Sequence, residues 1–176
     1  VHLSNFRPVK RVNDVIEVFD RVQKQVPSKL VMIGDGPDRS SAEYLVRRKG
    51  ISKKVLFIGK QDHIHEHLGL ADLMIMPSEL ESFGLSALEA AACEVPTIAT
   101  AVGGVPEVIK DGETGYLAKV GDVDTMARCA IELLSDEDRL RAMGRAARTD
   151  ARSRFCAYNI VPKYEEFYQR TLERIS

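Results

Sequence analysis

Short, wholly apolar runs recur along this chain, and each is followed by a stretch with helical spacing. Leu30-Val31-Met32-Ile33, Val55-Leu56-Phe57-Ile58 and Leu73-Met74-Ile75-Met76 are too short for buried helices and show no polar alternation. Residues 1–5, Thr97-Ile98-Ala99 and Gly115-Tyr116-Leu117-Ala118 complete the set of strands. Between them, Val12, Val15, Ile16, Phe19 and Val22 recur as one helix face. Further helices are predicted near 38–49, 63–70 and 84–93, and three more near 122–134, 136–153 and 157–173. Strands apolar on both faces, separated by helices, require a parallel sheet covered on both sides. The predicted fold is therefore α/β, a Rossmann-like doubly wound parallel sheet, with residues 1–176 as one domain. Gly50 suits a helix C-cap, and Ser135 is placed to cap the helix that follows it. Asp136, Glu137 and Asp138 load the first turn of that helix, and Arg148, Arg152 and Arg154 load its end, which complements the helix dipole.

Composition excludes several classes of partner. A net charge of −1 gives no general attraction to nucleic acid or anionic lipid, so neither is expected to bind. No apolar run approaches the roughly eighteen residues of a membrane-spanning helix. No basic and then apolar leader opens the chain, which places the expected location in the cytoplasm. The start at Val1, without Met and inside a strand pattern, reads as a piece of a longer protein. Cys93, Cys129 and Cys156 lie far apart, so a disulfide framework or metal site is not expected. His63, His65 and His67 alternate without an H-E-x-x-H pattern and read as a solvated helix start rather than a zinc site.

Ligands of such sheets bind beyond the carboxyl ends of the strands. The loops to inspect are residues 5–11, 34–38, 59–62, 77–84 and 100–107. The most informative is Ser78-Glu79-Leu80-Glu81-Ser82-Phe83-Gly84, which enters an almost wholly Leu and Ala helix. The amides of Phe83, Gly84 and Leu85 are predicted as unpaired donors at a helix N-terminus, where Gly84 lets an anion approach. Glu89 interrupts that apolar helix, where an unpaired carboxylate is costly. Two carboxylates with a phosphate nest between them match an extended nucleotide sugar, with Glu81 on the sugar and Glu89 on the ribose. A structurally paired Glu89 and a solvated Glu81 fit the spacing equally well. Arg7, Lys10 and Arg11 follow the first strand and are placed to neutralise a diphosphate, although a solvated helix start accounts for Arg11. Gly34-Asp35-Gly36 lacks the third Gly of a dinucleotide fingerprint and fits a tight turn equally well. Gly103-Gly104 supplies backbone donors near the ligand or makes a turn.

Taken together, Glu81 and Glu89 with seven residues between them, Pro77-Ser78, Ile33-Gly34-Asp35-Gly36-Pro37, Gly103-Gly104-Val105-Pro106-Glu107 and Gly112-Glu113-Thr114-Gly115 carry a resemblance. The chain resembles the C-terminal domain of retaining GT-B glycosyltransferases of family four, over nearly its whole length. The resemblance implies a hexosyltransferase in which Glu81 contacts the donor sugar, Glu89 the ribose, and Lys10 the diphosphate. Ser82, Phe83, Gly84 and Leu85 would surround the phosphates, and backbone near Lys60 the uracil. Asn5 stands where the family places an Arg, so either Asn5 or Arg7 fills that role. Glu94 stands where the family favours Gly, and reads as a surface variation. Residues 4–11 and 55–62 are most similar to the branch that transfers N-acetylglucosamine from UDP to L-malate in bacillithiol synthesis. The resemblance thus implies a UDP-GlcNAc donor, no cofactor or metal, and an N-terminal acceptor domain outside this sequence. The helix near 157–173 would pack on that domain, and alone would expose an apolar patch. A transferase acting on a lipid or glycan acceptor, and a non-catalytic nucleotide-binding module, are the alternatives. The sequence leaves the oligomeric state open, a homo-oligomer included.

Overall fold

A computed structural model describes residues 1–175. The strands are β1 (His2–Leu3), β2 (Leu30–Ile33), β3 (Val55–Gly59), β4 (Met74–Met76), β5 (Thr97–Thr100) and β6 (Gly115–Ala118). The helices are α1 (Val12–Val22), α2 (Arg39–Arg48), α3 (Ile64–Leu68), α4 (Leu85–Ala92), α5 (Val105–Val108), α6 (Val123–Leu134), α7 (Glu137–Phe155) and α8 (Ala157–Ile175). Two parallel three-stranded sheets form, β1-β2-β3 and β4-β5-β6. They meet where the Val1 nitrogen donates to the Leu73 carbonyl at 2.7 Å and Ile75 N–H donates to the Val1 carbonyl at 3.0 Å. Those two bonds are the unit of a parallel ladder. Read across that joint, the order is 3-2-1-4-5-6, and the strand order reverses between β1 and β4. A doubly wound sheet opens its ligand crevice at such a reversal.

Residues alternate between the two faces. Ile75 and Ile98 join α1, α2 and α6 in one core cluster, while Met74, Met76 and Ala99 join α3, α4 and α5 in the other. Helix α7 packs outside α4, close enough that a Cβ on Gly144 would lie 2.2 Å from the Glu94 carbonyl oxygen. The covering of both faces is incomplete at β3. Leu56 is 59% exposed, and a groove of about 1130 Å³ is lined in part by Val31, Leu56, Ile58 and Leu70. Only the five-residue α3 connects β3 to β4, and one short turn cannot span that face.

The Ser135 cap is corrected. Ser135 already ends α6, and Asp136 caps α7 by accepting the Arg139 N–H at 3.0 Å. Glu137 and Asp138 load the first turn of α7 and Arg152 and Arg154 the last, as expected. Glu94 is also more than a surface variation. Its φ is +63, and Glu94 N–H bonds Ala91 O while Val95 N–H bonds Ala90 O, a Schellman end to α4 whose left-handed position favours Gly. A 3-10 turn at Pro8–Lys10, another at Ser52–Lys54, and the short α5 were not predicted. Helix α8 exposes Tyr158, Tyr164, Phe167 and Tyr168, the apolar patch expected of it.

Candidate functional site: the crevice between β1 and β4

The loops after β1 and β4 are knitted together at the strand reversal. Glu79 N–H donates to the Val9 carbonyl at 2.7 Å, and the Lys10 ammonium donates to Glu81 Oε1 at 2.6 Å. Ser78, fully buried, donates its hydroxyl to the same Oε1 at 2.8 Å, while Thr100 Oγ1 from the end of β5 donates to the Ser78 carbonyl. One oxygen of Glu81 is therefore fixed twice. Its other oxygen, Oε2, has no protein partner among the described residues. Lys10 thus reaches across to Glu81 in this structure rather than to the tip of α4.

Behind this loop, space allows no side chain. A Cβ on Gly103 would lie 1.7 Å from the Glu81 carbonyl oxygen, and one on Gly104 would lie 2.6 Å from that of Ser82. Gly34 and Gly36 press in the same way on the Ser4 and Asn5 carbonyls, at 1.8 and 2.1 Å. These glycine pairs let the neighbouring loops lean on the two site loops. Their close contacts are with the backbone carbonyls of those two loops.

Helix α4 starts at Gly84, which is buried at φ +91 with no side-chain cap. The N–H groups of Phe83, Gly84 and Leu85 find no acceptor among the described residues, as predicted. Ser82 and Leu85 are exposed beside them, and the Phe83 ring packs edge-on against Phe155 at 5.6 Å. Further along α4, Glu89 is partly buried and its carboxylate has no partner among the described residues. Burial raises its carboxyl above the ordinary range. Of the alternatives at Glu89, the structurally paired acid is therefore excluded.

The basic cluster divides. Arg11 is held by Asp14 at 2.7 Å and lies 3.8 Å from Glu79, so it belongs to the start of the next helix. Arg7 is exposed with no charged partner among the described residues, and Asn5 is exposed beside it. Lys60, exposed just after β3, likewise has no acidic partner there. His67 bonds Gln61 at 3.1 Å, and no metal-holding group of His, Cys, Asp or Glu occurs among the described residues.

The structure adds His2 and Ser4 to the site. His2 is fully buried under the crevice, with its ring nitrogens 2.9 Å from the Ile75 carbonyl oxygen and 2.8 Å from Ser4 Oγ. A polar residue between Val1 and Leu3 in a buried strand was the signal that could have found it.

A model of the family described as Glycosyl transferases group 1 matches residues 1–150. The chain belongs to the group 1 glycosyltransferases. Over 172 residues it is 49% identical to N-acetyl-alpha-D-glucosaminyl L-malate synthase of Bacillus anthracis, covering 98% of this chain and 45% of that protein. This chain therefore spans less than half the length of that relative. The crystallised C-terminal domain of a group 1 family glycosyl transferase, LpcC from Francisella tularensis, superposes with a TM-score of 0.81 at 28% identity, covering 88% of this chain and 84% of that one. Anabaena HepE in complex with UDP and glucose superposes with a TM-score of 0.90 at 22% identity, covering 96% of this chain and 47% of that one, a likeness of fold alone. The GT-B Rossmann-like architecture expected from the sequence is thereby established.

Proposed function

We propose that this chain is the donor-binding domain of a two-domain retaining glycosyltransferase that uses UDP-N-acetylglucosamine. One observation carries the reading. Glu81 is oriented by Lys10 and Ser78 with one oxygen open, beside three amides at the tip of α4 and a Glu89 farther along the same helix that have no partner among the described residues. These groups match a donor whose sugar hydroxyls meet Glu81, whose diphosphate meets the amides, and whose ribose meets Glu89. Catalysis on this reading is electrostatic. Lys10, Arg7 and the Phe83, Gly84 and Leu85 amides stabilise charge growing on the departing UDP, while the acceptor attacks from the same face of the sugar.

The identity of the acceptor rests on likeness. The Bacillus anthracis relative is named for L-malate, and this chain matches it at 49% identity, so L-malate is the acceptor proposed. The acceptor would sit on an N-terminal domain across an interdomain cleft, and the exposed aromatic face of α8 would pack there. The domain alone then binds UDP but transfers no sugar.

Calorimetry with UDP and with GDP tests the donor assignment, and GDP binding as tightly as UDP would refute it. Transfer assays on a protein that includes the preceding domain, with malate against lipid and glycan acceptors and with and without EDTA, test the acceptor and the absence of a metal. Robust turnover by the 176-residue chain alone would overturn the two-domain reading.

A further inference from the structure

The ladder between β1 and β4 stops after one unit, and a side chain takes over. The Ile75 N–H bonds the Val1 carbonyl, but the Ile75 carbonyl is met at 2.9 Å by His2 Nδ1 instead of by a backbone N–H. A carbonyl oxygen can only accept, so Nδ1 carries the proton. Burial pushes the ring down to about 4, so it is neutral and Nε2 must accept. The Ser4 hydroxyl, 2.8 Å away, is its donor, and Ser4 Oγ in turn accepts the Phe6 N–H at 3.2 Å. Every hydrogen in the relay has one possible direction.

The relay ends on a strained residue. Phe6 lies at φ +40, a region that non-glycine residues rarely enter, and its ring is fully buried against His2 and Phe57. Such strain persists only where surrounding contacts over-determine it. Asn5 and Arg7 flank Phe6, and the 3-10 turn that carries Lys10 follows directly. Ile75, at the other end of the relay, lies on the strand that leads to Ser78 and Glu81.

We infer that His2 is a positioning residue, which acts through Ser4 to hold the β1 loop in the turn that presents Arg7 and Lys10 to the donor diphosphate. This rests on the donor-site reading above. The relay ties the β1 loop to β4 and bonds neither Lys60 nor Glu89, so it governs affinity for the diphosphate and leaves affinity for the nucleoside alone.

The test is calorimetry of UDP and uridine with the 176-residue chain, a relative's equivalent domain having been crystallised by itself. Ser4→Ala should weaken UDP about tenfold, the usual loss for one hydrogen bond in a charged site, and leave uridine unchanged. Ser4→Thr, which keeps the hydroxyl, should restore UDP affinity to within about twofold. His2→Asn, which keeps a donor for Ile75 but falls short of Ser4, should match Ser4→Ala and serves where that variant does not fold. Equal losses for UDP and uridine, or no loss for either, overturn the positioning role while leaving the donor site intact. A wild-type chain that binds neither ligand overturns the donor-site reading and the relay's function with it.

Discussion

The buried His2 makes a specific demand on acid stability. The unfolded chain binds a proton at this ring near 6.5, whereas burial delays that binding in the folded chain to about 4. A depressed folded value means that the contribution is present in full above pH 6.5 and is lost as pH falls towards 4. Over the whole window the loss amounts to about 3 kcal/mol, of which about 2 kcal/mol falls between pH 7 and pH 5. With an ordinary urea dependence for a domain of this size, the midpoint should move down by about 1 M across those two pH values. His2→Asn removes the titrating ring, so its midpoint should move far less, whatever constant stability the smaller side chain forfeits. The quantity to read is therefore the difference in pH slope between the two proteins. Parallel slopes from pH 7 to pH 5 would refute the buried neutral ring.

Three further outcomes follow from the site. Glu89→Gln should raise thermal stability, because the carboxylate is disfavoured by burial with no cation among the described residues to offset it, yet weaken UDP by about 1–3 kcal/mol in calorimetry. A variant that lost stability, or kept UDP affinity, would contradict the unpartnered acid. Gly103→Ala should cost over about 3 kcal/mol in chemical denaturation, since its Cβ would meet the Glu81 carbonyl. Gly112→Ala, at φ +77 but in open space, should cost only about 1–2 kcal/mol, and equal costs would show that backbone strain alone matters at both. Glu94→Gly should stabilise the end of α4 by about 0.5 kcal/mol, the relief of its left-handed backbone outweighing the exposed ion pair with Arg148, and a lower melting temperature would count against it.

The sheet was legible because buried parallel strands write themselves as apolar runs, and Leu30 to Ile33 or Thr97 to Thr100 admit little else. The tip of α4 was legible for a similar reason, since Gly84 and Glu89 stand out against a Leu and Ala helix. Three kinds of feature escaped. Pro8–Lys10 and α5 are single turns, too short to show any period. The Asp136 cap competes with Ser135, and only the course of the chain decides which of two good capping residues falls at the helix start. The third kind is contact across the crevice. Lys10 and Glu81 are 71 residues apart, so nothing local announces that the basic cluster spends its lysine on the acidic loop. The incomplete cover over Leu56 was hidden likewise, because the apolar run at β3 is the same whether or not α3 is long enough to shield it.

The Lys10–Glu81 pair has a physical consequence for any donor that enters. Both groups are mostly buried, with side chains 20% and 11% exposed, so neither can be left uncompensated cheaply. If Lys10 turned to a diphosphate with nothing else in place, Glu81 would be stranded. Ser78 prevents this, since its hydroxyl remains on Oε1 and its own carbonyl is fixed by Thr100 from the adjacent strand. The incoming sugar hydroxyls would meet Oε2 at the same moment, so the carboxylate exchanges one cation for neutral donors without losing its orientation. The cation, freed from one acid, would meet another negative group within the same crevice. On the donor-site reading, the resting pair is thus a pre-oriented exchange of partners, and a diphosphate without its sugar would complete only half of it.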